Sequence, residues 1–272
     1  MNQSLIAAIY GLAVADALGV PYEFLTRGSF EAVEMVGYGS YQQPAGTWSD
    51  DTSLVLATCD SIRGKGKIDP ADMQQRFKHW LFEEAYTSDG LTFGIGNTTR
   101  EALTRGYGLS DEYSNGNGSL MRILPLAFTE ASPTDIEAVS SITHAHAISV
   151  EACQLYVAIA RRLLKGRQLS EILSGLETST TYARLQTLAE LTADDIRSTG
   201  YVVDTLEAAL WCLLTSTSYP ETVLKAVNLG DDTDTVAAVA GGLAGIIYGL
   251  EGIPDNWLAQ LRNKELLESC LF

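Results

Sequence analysis

The chain has 272 residues, long for one domain and short for two, with 18 basic against 34 acidic side chains and a formal net charge of −16 at pH 7. A pI near 4.5 argues against wrapping nucleic acid and against docking on an anionic membrane, both of which need a basic face. A hydrophobic share of 46% excludes intrinsic disorder, and a charged share of 19%, below the usual quarter or so, implies that much of the chain is buried.

The first apolar run, SLIAAIYGLAVADALG, places Leu5, Ile6, Ile9, Leu12 and Ala13 on one helical face. No Lys or Arg precedes it, the first being Arg27, and Asp16 interrupts it. It therefore reads as a mature first helix rather than a signal peptide. Helical periodicity continues through 52–62, 70–85, 97–105, 119–129, 134–141 and 147–164. It resumes at 181–191, 203–215, 220–228, 234–249 and 255–268. Strand-type alternation is nearly absent, and the connections are short, with Gly-rich loops at 37–46 and 106–118 the longest. The expectation is one all-α domain over 1–272, a compact multi-helix orthogonal bundle. The sequence shows no apolar run of the eighteen or more residues that a membrane span needs. The four widely spaced cysteines, Cys59, Cys153, Cys212 and Cys270, read as buried core residues of a reducing compartment. A soluble, cytoplasmic protein is expected.

Two acidic clusters carry the chemistry. Gly46-Thr47-Trp48-Ser49-Asp50-Asp51-Thr52 opens one helix, and Gly230-Asp231-Asp232-Thr233-Asp234-Thr235 opens another far along the chain. Either alone fits an ordinary N-cap, where the helix dipole favours a carboxylate. A cap needs one oxygen, however, and each cluster supplies two or three carboxylates plus hydroxyls. Such crowding is repulsive unless a cation neutralises it. Oxygen donors without His or Cys are the ligand set of Mg²⁺, Ca²⁺ or Mn²⁺, and convergence of the two helix starts would make a two-metal site.

The segments ADALGVPYEF at 15–24, GTWSDDTSLVLA at 46–57, GIGNTTREAL at 94–103 and GNGSLMRILPLA at 116–127 extend the pattern. So do ITHAHAISVEAC at 142–153, TGYVVDTLEAALWCLL at 199–214 and NLGDDTDTVAAVAGGLAGIIYG at 228–249. Together they resemble the ADP-ribosylglycohydrolase family over nearly the whole chain, the DDT and DTDT blocks being the specific part. The resemblance implies an enzyme with two Mg²⁺ or Mn²⁺ ions that cleaves the bond between ADP-ribose and a modified acceptor, foremost a protein side chain such as arginine. It places Ser49, Asp50 and Asp51 in a first metal set and Asp232, Asp234 and Thr235 in a second. Glu23 matches an acid that faces the metals and the substrate ribose. The anomeric carbon becomes oxocarbenium-like as its bond breaks, and a carboxylate such as Glu23 or Asp51 could take a proton from the attacking water.

Other residues have two readings. Gly116, Asn117, Gly118 and Ser119 form either an ordinary turn into a helix or a cradle for the ADP diphosphate. Arg122 either adds charge there or completes a structural ion pair. His144 borders the substrate pocket or caps a helix, and Tyr201 stacks on substrate or fills the core. Trp48 is either core or pocket wall, and Gly241 and Gly245 mark close helix packing. The partners implied are an ADP-ribosylated protein or small molecule, with no stable nucleic-acid complex and no membrane. Two alternatives stand beside the hydrolase. One is a catalytically silent relative of the eye-lens crystallin kind. The other is an aspartate-nucleophile phosphatase, because Asp232-Thr233-Asp234-Thr235-Val236 fits that motif, although it enters a helix rather than ending a strand. One departure stands out: several arginine-directed relatives carry an Asp proposed as general base where this chain has Gly94.

Overall fold

The structure is a computed structural model, which describes residues 2–272. Its principal helices are α1 (Gln3–Gly19), α2 (Asp50–Lys65), α3 (Pro70–Glu83), α4 (Asn97–Arg105), α5 (Pro133–Ser140) and α6 (Ala147–Leu163). They are followed by α7 (Leu169–Ser174), α8 (Val202–Leu214), α9 (Tyr219–Val227), α10 (Thr233–Tyr248), α11 (Asp255–Gln260) and α12 (Lys264–Cys270). Among the described residues there is no strand, only three isolated bridges, Tyr38 to Gln43, Leu109 to His144 and Gly116 to Tyr201. The fold is all-α, as the periodicity predicts.

Local chemistry starts and stops these helices. Asn2 caps α1 by accepting from the N–H groups of Ser4 and Leu5, and Asp69 with Pro70 opens α3. Ser132 and Asp135 form a reciprocal capping box on α5. Three predicted helices come out differently. Over 119–129 there is a run of turns and then a 3₁₀ helix, Leu124–Phe128, because Pro125 cannot donate to a continuing α-helix. The 181–191 stretch winds as a 3₁₀ helix, Thr180–Glu190. The 255–268 stretch splits at Asn263, which takes a left-handed φ of 46°, while the Arg262 N–H donates to the Gly46 carbonyl.

α1 and α10 form the central pair and make the most extensive helix–helix contact. Both are apolar on every side and buried along most of their length, as all-round hydrophobic helices must be. Their backbones approach along a seam of glycines. A Cβ on Gly11 would lie 2.5 Å from the Gly241 carbonyl oxygen, and one on Gly245 would lie 2.2 Å from that of Ala7. Tyr219 from α9 donates to the Gly11 carbonyl at 2.6 Å, and Tyr156 from α6 donates to that of Val239 at 2.8 Å. The segment Gln3–Tyr22, 20 residues with an 18-residue window of mean hydropathy 1.7, is long and apolar enough to span a membrane by length and composition. This corrects the expectation that no such stretch exists; here 89% of its apolar window is buried inside the protein. All four cysteines are free and buried, and Trp48 is a core residue, 1% exposed, whose Nε1 donates to the Tyr86 carbonyl at 3.1 Å.

Candidate active site

The glycine seam brings the end of α1 against the start of α10: the Thr233 hydroxyl donates to the Gly19 carbonyl at 2.8 Å, and Gly19 has no room for a Cβ against Asp234. Asp16, fully buried in α1, reaches onto α2. Both its carboxylate oxygens accept from the Ser49 N–H at 3.1 Å, and Oδ2 also accepts from the Thr52 N–H at 3.1 Å and hydroxyl at 2.6 Å. An anion on one helix thus caps the positive end of another. Ser49, the N-cap itself, accepts from the Asp51 N–H at 3.2 Å and donates to Asp51 Oδ2 at 3.1 Å. The two acidic clusters meet where the Thr235 hydroxyl donates to that same Oδ2 at 3.3 Å across 184 residues. Asp232, at the start of α10, is half-buried, and Asn117 Nδ2 donates to its Oδ2 at 2.8 Å and to Thr205 Oγ1 at 2.9 Å.

Two carboxylate triplets result, Asp16–Asp51–Asp234 and Glu23–Asp232–Asp234, each with oxygens within 4.8 Å of one another and Asp234 common to both. Among the described residues none of these acids is in an ion pair. Glu23 Oε2, Asp51 Oδ1 and Asp232 Oδ1 are buried without any hydrogen-bond partner. Burial and the Asp232 charge push the Glu23 carboxyl up to about 7. Burial raises Asp16 to about 6, against the lowering effect of its bonds from Thr52 and Ser49. Asp50, Asp51 and Asp234 lie well above the usual carboxylate range, first through burial and then through each other's and their neighbours' charge. Asp232 is raised by burial, with the Asn117 bond opposing. Unpaired buried oxygens and mutually repelling carboxylates are what a bound cation would satisfy, so the residues present fit divalent metal.

These groups floor a cleft of about 670 Å³ lined by Glu23, Asp50, Asp232, Asp234 and Thr235, by Gly116, Asn117, Gly118 and His144, and by Gly94, Tyr41 and Arg100. A larger groove, about 990 Å³, runs along α5 and α6 and contains none of these residues. Most of the predicted site converges here; two residues do not. Ser119 is fully buried, its hydroxyl facing Ser140 Oγ at 3.0 Å and Cys153 Sγ at 3.4 Å, and no helix starts there to present N–H groups to phosphate. Tyr201 bridges to Gly116 through its backbone and leaves its ring 40% exposed, so that Gly200 lines the cleft in its place. The Asn117 N–H is likewise engaged, donating to the Gly200 carbonyl at 3.1 Å. Arg122 is buried under neither expected role: it stacks 4.6 Å from the Phe77 ring centre and has no carboxylate partner among the described residues. Asp231 turns its side chain to solvent and contributes its backbone, exchanging hydrogen bonds with Phe24 and Leu25. Sequence reasoning missed Asp16 and Tyr41 as site residues. A lone carboxylate in a fully apolar helix was the available signal for Asp16.

Gly94 has φ +77°, and a Cβ there would lie 2.4 Å from Asp50 Oδ1. The Asp50 carboxylate occupies the space that a side chain at 94 would need.

A sequence model described as ADP-ribosylglycohydrolase matches residues 2–271. The chain belongs to the ADP-ribosylglycohydrolase family. It is 37% identical to a Pseudomonas putida protein named ADP-ribosylarginine hydrolase Tri1, over 93% of this chain and 73% of that one. It is 32% identical to the ADP-ribosyl-[dinitrogen reductase] glycohydrolase of Rhodospirillum rubrum, over 97% and 92%. A solved structure titled ADP-ribosylglycohydrolase-related protein complex superposes with a TM-score of 0.84 at 33% identity, covering 98% of this chain and 95% of that one. As a member of this family the protein is a glycosidic-bond hydrolase that acts on linkages between ADP-ribose and an acceptor. The phosphatase reading falls with this membership, and the Asp232 motif opens a helix in a fold without strands among the described residues.

Proposed function

We propose that the protein hydrolyses the bond between ADP-ribose and an arginine side chain of a modified protein, using two divalent cations, Mg²⁺ or Mn²⁺. The observation that carries the metal requirement is the set of orphaned buried oxygens on Glu23, Asp51 and Asp232 inside two carboxylate triplets. Asp16, Asp51 and Asp234 would hold one ion and Glu23, Asp232 and Asp234 the other, with Ser49, Asp50 and Thr235 beside them. Divalent ions held there would neutralise the acids and supply Lewis acidity toward the ribose and a water.

The chain's own residues do the rest. Asn117 fixes Asp232 in orientation, and Arg100, a basic residue of the cleft lining, meets the charge of the diphosphate. Phe24 and Tyr113, both strongly exposed at the cleft, offer ring faces to the adenine. Glu23, a carboxylate of the cleft lining, takes a proton from the water whose oxygen attacks the anomeric carbon while the bond to the guanidine nitrogen breaks. Asp50, filling the space beside Gly94, stands nearest to where the family's other acid would be. The named activity of the 37%-identical relative supports arginine as the acceptor. The unpaired buried cysteines support a reducing, cytoplasmic setting.

The test is a panel of proteins ADP-ribosylated on arginine or serine, incubated with Mg²⁺ or Mn²⁺, with free ADP-ribose as the readout. Release from the arginine substrate, lost by about a hundredfold or more in Glu23→Gln, is expected. Release from serine alone would overturn the acceptor assignment.

A further inference from the structure

Arg122 is an anomaly of the fold outside the acidic cluster. It is fully buried, it lies over Phe77, and its Nε has no hydrogen-bond partner. Its NH1 donates to the Val139 carbonyl at 3.2 Å and its NH2 to Thr143 Oγ1 at 2.8 Å. Thr143, fully buried as well, has a second neighbour at 2.8 Å: Nδ1 of His144.

The direction of these bonds follows from donor and acceptor capacity. A guanidinium only donates, so Thr143 Oγ1 must accept from Arg122. The threonine hydroxyl proton then needs an acceptor of its own. If Nδ1 carried the imidazole proton, Thr143 Oγ1 would accept twice and its own O–H would be stranded in the interior. With Nδ1 unprotonated, the Thr143 hydroxyl proton has its acceptor, and the proton of the neutral ring resides on Nε2.

The backbone around the ring is equally fixed. The His144 N–H donates to the Ser140 carbonyl at 2.9 Å, and the Ser140 hydroxyl donates back to the His144 carbonyl at 2.9 Å. Leu109 brackets the residue, donating to the Thr143 carbonyl at 2.9 Å and accepting from the Ala145 N–H at 2.8 Å. The imidazole edge lies directly against the Gly116–Gly118 turn. A Cβ on Gly118 would come within 2.8 Å of His144 Cε1, and one on Gly116 within 3.5 Å of Nε2. That contact, together with Thr99 Oγ1 at the same 2.8 Å, leaves no room for a side chain at 118. His144 is part of the cleft lining, and Nε2 meets no acceptor among the described residues.

We propose that Arg122 and Thr143 are positioning residues that lock His144 in its Nε2–H tautomer, so that the cleft presents a fixed, uncharged donor to an oxygen of the ADP-ribosyl group. Burial, and then the Arg122 charge, also hold the imidazole pKa down to about 3, which keeps the donor from becoming a second cation beside the guanidinium. The relay rests on the proposed function only for the identity of the acceptor oxygen.

With three histidines in the chain, nitrogen-15 NMR of the full-length protein, assigned with His144→Asn, reads the tautomer directly. The expected spectrum has a pyridine-type Nδ1 and a pyrrole-type Nε2 for His144, and ADP-ribose is expected to shift Nε2. Thr143→Ser keeps both signatures. Thr143→Val mixes the tautomers and raises KM about tenfold while kcat stays within about twofold, the pattern of a lost ground-state contact. A pyrrole-type Nδ1 in the wild type overturns the relay. So does a Thr143→Val variant with unchanged tautomer and KM. ADP-ribose that shifts other cleft resonances, but not Nε2, overturns the donor role. If Thr143→Val does not fold, the wild-type tautomer and the ADP-ribose shift still decide. A protein that shows the tautomer and the shift yet cleaves no linkage refutes the hydrolase reading and leaves the relay standing.

Discussion

Gly241→Ala tests whether the seam between α1 and α10 sets the geometry of the acidic cluster. Gly241 is helical, so an alanine there should gain about 1 kcal/mol of helix propensity. Against this, its Cβ would lie 2.5 Å from both the Gly11 carbonyl oxygen and Ala15 Cβ. The first is backbone and the second has no rotamer to change, so the helices themselves must part by about 1 Å to restore ordinary contact. Overpacking of this kind costs about 1–3 kcal/mol, and a rigid backbone partner belongs at the upper end. The net loss is about 2 kcal/mol, a fall in Tm of about 4–8 °C for a chain of this size. Ala15 adjoins Asp16, so the same displacement moves one carboxylate of the Asp16–Asp51–Asp234 triplet, and a shift of that size can lower turnover by about a hundredfold. Gly64→Ala is the control: its Cβ meets only the end of the Arg76 side chain, at 3.2 Å, and stability should hold or rise by up to about 1 kcal/mol. Thermal denaturation followed by circular dichroism, with the hydrolase assay on the same samples, measures both effects. A Gly241→Ala protein with unchanged or higher Tm would refute the argument, since propensity alone would then have prevailed.

In chelator, the raised carboxyls of Asp16, about 6, and Glu23, about 7, bind protons more tightly folded than unfolded. Their contribution is complete below the ordinary carboxylate range and is lost as pH rises through 6 and 7, so Tm should fall between pH 5 and pH 8. Saturating Mg²⁺ should raise Tm at pH 8 by more than at pH 5; equal shifts at both would contradict this. Asp16→Asn leaves one oxygen to accept from Ser49 and Thr52 where two did before. Weaker Mg²⁺ binding by at least about tenfold in titration calorimetry is expected, and wild-type affinity would remove Asp16 from the ligand set. Gly94→Asp should lose activity rather than gain it, because the new side chain strains a φ of +77° and meets Asp50 Oδ1; faster arginine release would show that Asp50 can be displaced without harm.

The acidic helix starts were legible because Ser, Asp and Thr concentrate where a helix N-terminus stabilises anions, and both clusters lie where expected. Asp16 was not, since its partners Ser49 and Thr52 become neighbours only after α1 packs on α2, and no local pattern encodes that. Ser119 failed for a related reason: periodicity over 119–129 is real, but Pro125 diverts it into a 3₁₀ turn and the hydroxyl is left facing the core. Asp16 breaks the apolar run in sequence but not in structure, since the helix continues through it to Gly19 with the carboxylate buried against α2. The Arg122–Thr143–His144 chain lies partly in adjacent residues, yet its meaning depends on bond direction and burial, which spacing does not carry.

The pairing of α1 with α10 has a consequence for biosynthesis. Thr233 and its acceptor Gly19 are separated by 214 residues, so during translation the partner of α1 emerges on the order of ten to forty seconds after it. Throughout that interval a helix apolar enough to enter a bilayer has no glycine-lined partner to cover it. Truncations that end before α10 are therefore expected to aggregate rather than fold.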